Sequence, residues 1–143
     1  MTPKAARYNR VNLDGKSINR TAISAVAMLA GTVVCLDDNE QAIVATAALA
    51  QAGKHLYVVT QQHLGITEEI AAGDSLNLDY VQTGREFAVR VKAATALKLD
   101  SQVAVGAGGV CELAGEETGF IAYSVEKFTV AADKVELVRV RIA

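Results

Sequence analysis

The residues best suited to chemistry are few, and their spacing works against them. His55 and His63 are the only histidines. On an extended chain they stand about 26 Å apart at about 3.3 Å per residue. They cannot share a metal unless the chain folds back, and no Cys or carboxylate spacing completes a zinc set. Glu68-Glu69 and Glu116-Glu117 are adjacent carboxylates, whereas glycoside hydrolysis needs two carboxylates held across a cleft by rigid elements. Neighbours in a loop read instead as a solvated edge. Gly15-Lys16-Ser17 imitates the end of a phosphate-binding loop, but Arg10 occupies the position where that motif requires Gly. Gly106-Ala107-Gly108-Gly109 opens into the strand-like Val110-Cys111-Glu112. A dinucleotide loop must open into a helix whose amides hold the pyrophosphate, so this one reads as a hairpin turn. No Ser sits in a nucleophile-elbow pattern, and neither His has an evident Asp partner. The sequence therefore assigns no catalytic, cofactor-binding or metal-ligating residue. A non-enzymatic protein is the expectation.

Charge is placed unevenly along the chain. Residues 1–20 carry Lys4, Arg7, Arg10, Lys16 and Arg20 against Asp14 alone, a balance of +4. The remaining 123 residues hold nine basic and fifteen acidic side chains, a balance of −6. Such a start is either a solvated chain end or an arm that orders on an acidic partner surface. Asn9, Asn12 and Asn19, set between apolar Val11, Leu13 and Ile18, are compatible with the second reading.

The elements that would position any such site follow from composition. A chain of 143 residues fits one domain with a real core. Half of the residues are apolar, but only 5% are aromatic and Trp is absent. The core must then be built from Val, Ala, Leu and Ile, in thin β layers with few platforms for stacking bases or sugars. A net charge of −2 gives no nucleic-acid footprint. Cys35 and Cys111 lie in apolar runs, as buried free thiols do, and a reducing compartment is expected. Ala22–Leu36 mimics a secretory signal, but its fifteen residues follow a long polar start and fall short of a bilayer span. A soluble product, with no membrane partner, is expected.

Residues 1–20 lack sustained periodicity and read as an extended arm. Residues 17–30 admit two readings, a short helix capped by Ser17 and ended by Gly31, or an extended segment entering a sheet. From Gly31 onward β signals dominate. Strands are expected at Thr32–Leu36 and His55–Gln61, while Ala-rich 42–53 is ambiguous between strand and helix. Ile66–Ala72 makes at most one helical turn, and Gly73-Asp74 a bend. Leu76–Tyr80 and Phe87–Val91 alternate about the turn 82–84, which predicts a hairpin with one apolar face. Val103–Val105 and Val110–Leu113 flank the Gly-rich turn. Phe120–Val125 and Val135–Ile142 complete the strands. In the last, Val138, Val140 and Ile142 face inward and Arg139 and Arg141 outward, with a bulge expected near Leu137. Turns every 8–12 residues argue for an antiparallel sandwich or barrel. The expected fold is thus mainly β, a small antiparallel barrel, β-tulip-like or sandwich domain with at most one or two short helices. An N-terminal arm, residues 1–30, precedes a body of residues 31–143.

The succession AGTVVCLDD, GKHLYVVTQQHLG, IAAGDSLNLDYVQTGREFAVRVKA, LKLDSQVAVGAGG and IAYSVE…LVRVRI resembles the small capsid decoration (cement) proteins of tailed bacteriophages. The likeness runs over residues 28–143. It implies a virion structural protein that binds the outer surface of the assembled capsid and cements neighbouring subunits. The major capsid protein would be its partner and a homotrimer its form. Arg7, Arg10 and Arg20 would pair with capsid carboxylates, and Val11, Leu13 and Ile18 would anchor the arm. Alternatives are a phage tail or baseplate subunit, a small ligand-binding module or enzyme, and a cellular β-barrel adaptor.

Overall fold

The computed structural model describes residues 8, 10–15, 19–60, 68–115 and 121–143. They form two β layers packed face to face. The first is a five-stranded antiparallel sheet in the order β1 (Asn19–Ile23), β5 (Ser75–Tyr80), β4 (Tyr57–Val59), β2 (Val33–Leu36), β3 (Ala42–Val44). The chain leaving β1 curls back to the opposite edge, where Ser24 bridges Ala42 in parallel and Ala25 N–H donates to Ala42 O at 2.9 Å. Inside the curl lie Ala22, Val34, Tyr57, Val59, Leu76 and Leu78, with Met28 and Ile70.

The second layer is a closed barrel, β10 (Ala122–Ser124), β12 (Glu136–Ile142), β6 (Glu86–Val91), β9 (Cys111–Leu113), β8 (Gln102–Val105), antiparallel except where Val91 meets Cys111. Cross-strand pairs Phe87↔Val140 and Val89↔Val138 set the interior, which Val91, Val103, Val105, Cys111, Ala122 and Ile142 complete. A two-stranded ribbon, β7 (Ala96–Leu97) with β11 (Phe128–Thr129), adds Leu97 to the same core. Ala104 and Cys111 are fully or nearly fully buried, and burial pushes the Cys111 thiol up to about 12. Cys35 is likewise a free, buried thiol.

Leu56-Tyr57-Val58-Val59 is continuously apolar because β4 is buried on both faces. Tyr57 and Val59 face the curl, while Val58 joins the barrel core, as Val33 does from β2. The two layers touch through glycines. Gly31 donates to Val59 O at 2.8 Å and accepts from Arg90 N–H at 3.1 Å, joining sheet to barrel. A Cβ at Gly31 would sit 2.7 Å from Leu137 Cδ2. Gly109, in a 3-10 turn (Ala107–Gly109), donates to Ala45 O at 2.9 Å, and a Cβ there would lie 2.4 Å from Val33 O. Both residues have positive φ, +90° and +73°, which non-glycine residues adopt at a cost.

The barrel, the hairpin β8–β9 and the inward and outward sets of β12 match the sequence reading. Of the two readings of 17–30, the extended one holds, as strand β1. The Ala-rich segment divides into β3 and a short helix α1 (Ala47–Gln51), capped by Thr46 Oγ1 accepting from Leu49 N–H at 3.2 Å. Two expectations are corrected. Leu76–Tyr80 and Phe87–Val91 do not form a hairpin: β5 pairs with β1 and β4, and β6 with β12 and β9. The turn exists, with Arg85 N–H on Gln82 O, but Gly84 N–H reaches Ile142 O and carries the chain into the other layer. The last strand has no bulge at Leu137. Its register with β6 is unbroken from Glu136 to Arg141, and Leu137 is buried on the barrel's outer face because Gly31 covers it. The limit of at most one helical turn over Ile66–Ala72 holds for residues 68–72, where no helix forms and Ile70 exchanges backbone hydrogen bonds with Met28 at 3.0 and 2.7 Å; residues 66 and 67 lie outside the described residues.

If the glycine joints seat the layers, Gly109→Ala should destabilise the fold by about 3 kcal/mol, because a backbone oxygen blocks the methyl and φ is unfavourable. Urea unfolding of the variant and parent measures this. An effect under about 1 kcal/mol, the scale of a conformational cost alone, would show that the joint gives way.

Candidate partner-binding surface

The N-terminal segment is where a partner contact was expected, and much of it is committed to this chain's own fold. Between Glu86 and Ala88, one edge of β6 is not covered by β9, whose register with β6 is confined to Val91 and Cys111. Segment 11–13 fills that stretch as a short antiparallel stave. Asn12 pairs with Phe87, Leu13 N–H donates to Glu86 O at 3.1 Å, and Ala88 N–H donates to Val11 O at 2.9 Å. Val11 is fully buried in the barrel core, and Leu13 and Tyr8 pack against it. Val11 and Leu13 therefore do not present free anchors; apolar side chains beside an open strand edge find the nearest core.

Asp14 ends the stave with charge. Its Oδ2 accepts from Arg85 Nε at 3.0 Å and from Glu86 N–H at 2.9 Å. Arg85 also pairs with Asp79 of β5 at 3.5 Å and stacks 4.8 Å over the Phe87 ring. Arg85 and Asp79 side chains are only 5% and 3% exposed and Asp14 13%, so two carboxylates and one guanidinium meet where the stave, the sheet and the barrel converge. Upstream, Tyr8 O–H donates to the Glu126 carboxylate, which also accepts from Arg139 N–H at 3.1 Å.

The other expected arm residues lie apart. Arg10 is exposed. Arg20, on β1, pairs with Glu40 at 3.5 Å across the sheet edge. Arg7 and Ile18 lie outside the described residues. On the outer face of the barrel Arg139 and Arg141 share Glu86, at 2.7 and 3.1 Å. Burial alone would raise the Glu86 carboxyl, but hydrogen bonds and charge from the two arginines outweigh it and hold the group below its ordinary value. Asp14 and Glu86 carry no signal of their pairing in the sequence because their charged partners are 53 to 71 residues away, whereas Asp79 and Arg85, six residues apart across a turn, are a pair the sequence could have suggested. Asp14 is marked only as the single acid in a basic stretch.

A cleft of about 330 Å³ opens between the layers, walled by Met28, Leu29, Val44, Val110 and Val135 with Arg90 and Glu69. Arg90 Nε donates to Ala30 O at 2.8 Å, and burial lowers its pKa. His55 and Glu68-Glu69 are exposed. Among the described residues no group of three His, Cys, Asp or Glu side chains is placed to hold a metal. None of their helices is long and apolar enough to cross a membrane.

Two measurements probe these charges. Arg85→Ala strands buried Asp79 and should cost about 3–5 kcal/mol, whereas Asp14→Asn leaves the Arg85–Asp79 pair and should cost about 1 kcal/mol; urea midpoints at neutral pH compare them. The Glu86 contribution is present above the carboxyl's ordinary value of 4.5 and is lost as pH falls through its lower folded value. Stability below pH 4.5 should therefore fall less steeply in Glu86→Gln than in the parent, and identical slopes would remove Glu86 from the acid response.

No protein-family model matches the chain, and no curated protein does. Among solved structures, its fold is similar to the head fiber gp8.5 N base of bacteriophage phi29, at 14% identity and a TM-score of 0.56, covering 88% of this chain and 93% of that one. At that identity the likeness is one of fold.

Proposed function

We propose that this chain is a virion structural protein on the outer surface of a tailed-phage capsid, where it cements neighbouring subunits without catalysis. The observation that carries this reading is the fold likeness, spanning 88% of the chain, to the base of a phage head fiber. A second support is electrostatic. The start of the chain is basic, Arg10 is exposed, and the body is acidic, a layout suited to gripping a shell while the body stays in solvent. The major capsid protein is the partner, and a homotrimer on the capsid is the form.

Because Val11 is buried and residues 19–23 form β1, this reading assigns the capsid contact mainly to the residues upstream. Lys4, Arg7 and Arg10 are the side chains assigned to capsid carboxylates, with Arg20 and Ile18 secondary. Each contact is weak alone, but many copies on one shell act by multivalency.

Undecorated phage heads mixed with the full chain and sedimented test the reading. The full chain should co-sediment, and a chain lacking residues 2–10, which keeps the stave, should bind at least about tenfold more weakly. Equal binding by the truncated chain would refute the arm contact. Failure of the full chain to co-sediment would refute the capsid role.

A further inference from the structure

Segment 11–14 is held in a way that lets it leave. Among the described residues its backbone pairing with β6 is one bridge with two hydrogen bonds, while the opposite edge of β6 carries an unbroken register with β12. Its charged tie has a standby. When Asp14 withdraws, Arg85 keeps Asp79 at 3.5 Å, so no buried cation is stranded, the outcome that would otherwise lock the segment in place. With Asp14 seated the cluster holds two carboxylates to one guanidinium; without it the charges balance. What withdrawal does leave is a hole where Val11, fully buried, had been, and an uncovered strand edge.

That hole and edge define what can fill them. The slot between Glu86 and Ala88 takes an extended strand with an apolar residue entering the core, a polar one after it, a second apolar residue against the rim, and a carboxylate reaching Arg85 and the Glu86 amide. Backbone bonds supply affinity and alternate side-chain positions supply specificity, as in strand addition generally. A second copy of this chain carries that sequence by construction. We propose that segment 11–14 is exchanged between copies, the stave of one chain seating in the β6 slot of its neighbour. Identical contacts form in both states, so exchange costs little beyond association. The connection from Gly15 to Asn19 spans at most about 14 Å, so exchanging copies must lie side by side. The inference does not depend on the capsid reading.

Equal amounts of isotope-labelled and unlabelled full chain, mixed at high concentration, test it by native mass spectrometry. Mixed oligomers are expected, which an excess of a synthetic peptide of residues 8–15 converts to peptide-bound monomers. Monomers alone at every concentration, or oligomers indifferent to the peptide, overturn the proposal. Val11→Asp should abolish the mixed oligomers. Since that variant can fail to fold, hydrogen exchange on the unaltered chain stands beside it. Leu13 and Ala88 amides should exchange at least about tenfold faster than those between β6 and β12. Equal protection would mean that the stave leaves only with global unfolding, and would overturn the proposal.

Discussion

The close approach of the curled sheet to the barrel, at Gly31 and Gly109, is the constraint from which the remaining architecture follows. The strands of the sheet run only three to six residues, and such short strands depend on packing an apolar face against another element. They persist because β2 and β4 bury both faces, one inside the curl and one against the barrel. That second face, with Val33 and Val58 in the barrel core, can seat because two backbones come within touching distance beside it, and a side chain at either glycine would hold the layers apart.

Such seating suits an aliphatic core. Among the described residues Phe87 is the largest fully buried side chain, followed by Leu76, Leu78 and a set of valines, with Ala and Cys between them. Small branched side chains fill thin layers at native density without the polar tips of Tyr and Trp, which need partners when buried. Tyr57 is the instructive exception, its ring tilted by 56° against that of Tyr80 with centroids 4.9 Å apart.

The charged cluster at Arg85 has a different purpose from the apolar contacts. It lies where chain start, sheet and barrel converge, and a buried ion pair adds little net stability relative to apolar packing of the same volume. What it does is geometric: through Asp14 it ties the chain start, and through Asp79 the sheet, to the residue that leads into β6.

Read by itself, the sequence determined the class: mainly β, antiparallel, aliphatic, with two buried thiols and a basic start. Hydrophobic period and turn residues are local properties and survive any arrangement of neighbours. It also placed Val138, Val140 and Ile142 inside and Arg139 and Arg141 outside. Only the tertiary structure decided which strand lies beside which, that 76–80 and 86–91 part company, that Leu137 is covered by Gly31, and that Val11 and Leu13 belong to the core. Alternation reports which face of a strand is buried but not what buries it, and a carboxylate at Asp14 gives no sign of a guanidinium 71 residues away. Those matters rest on distances between residues remote in the chain, which exist only once the layers have closed.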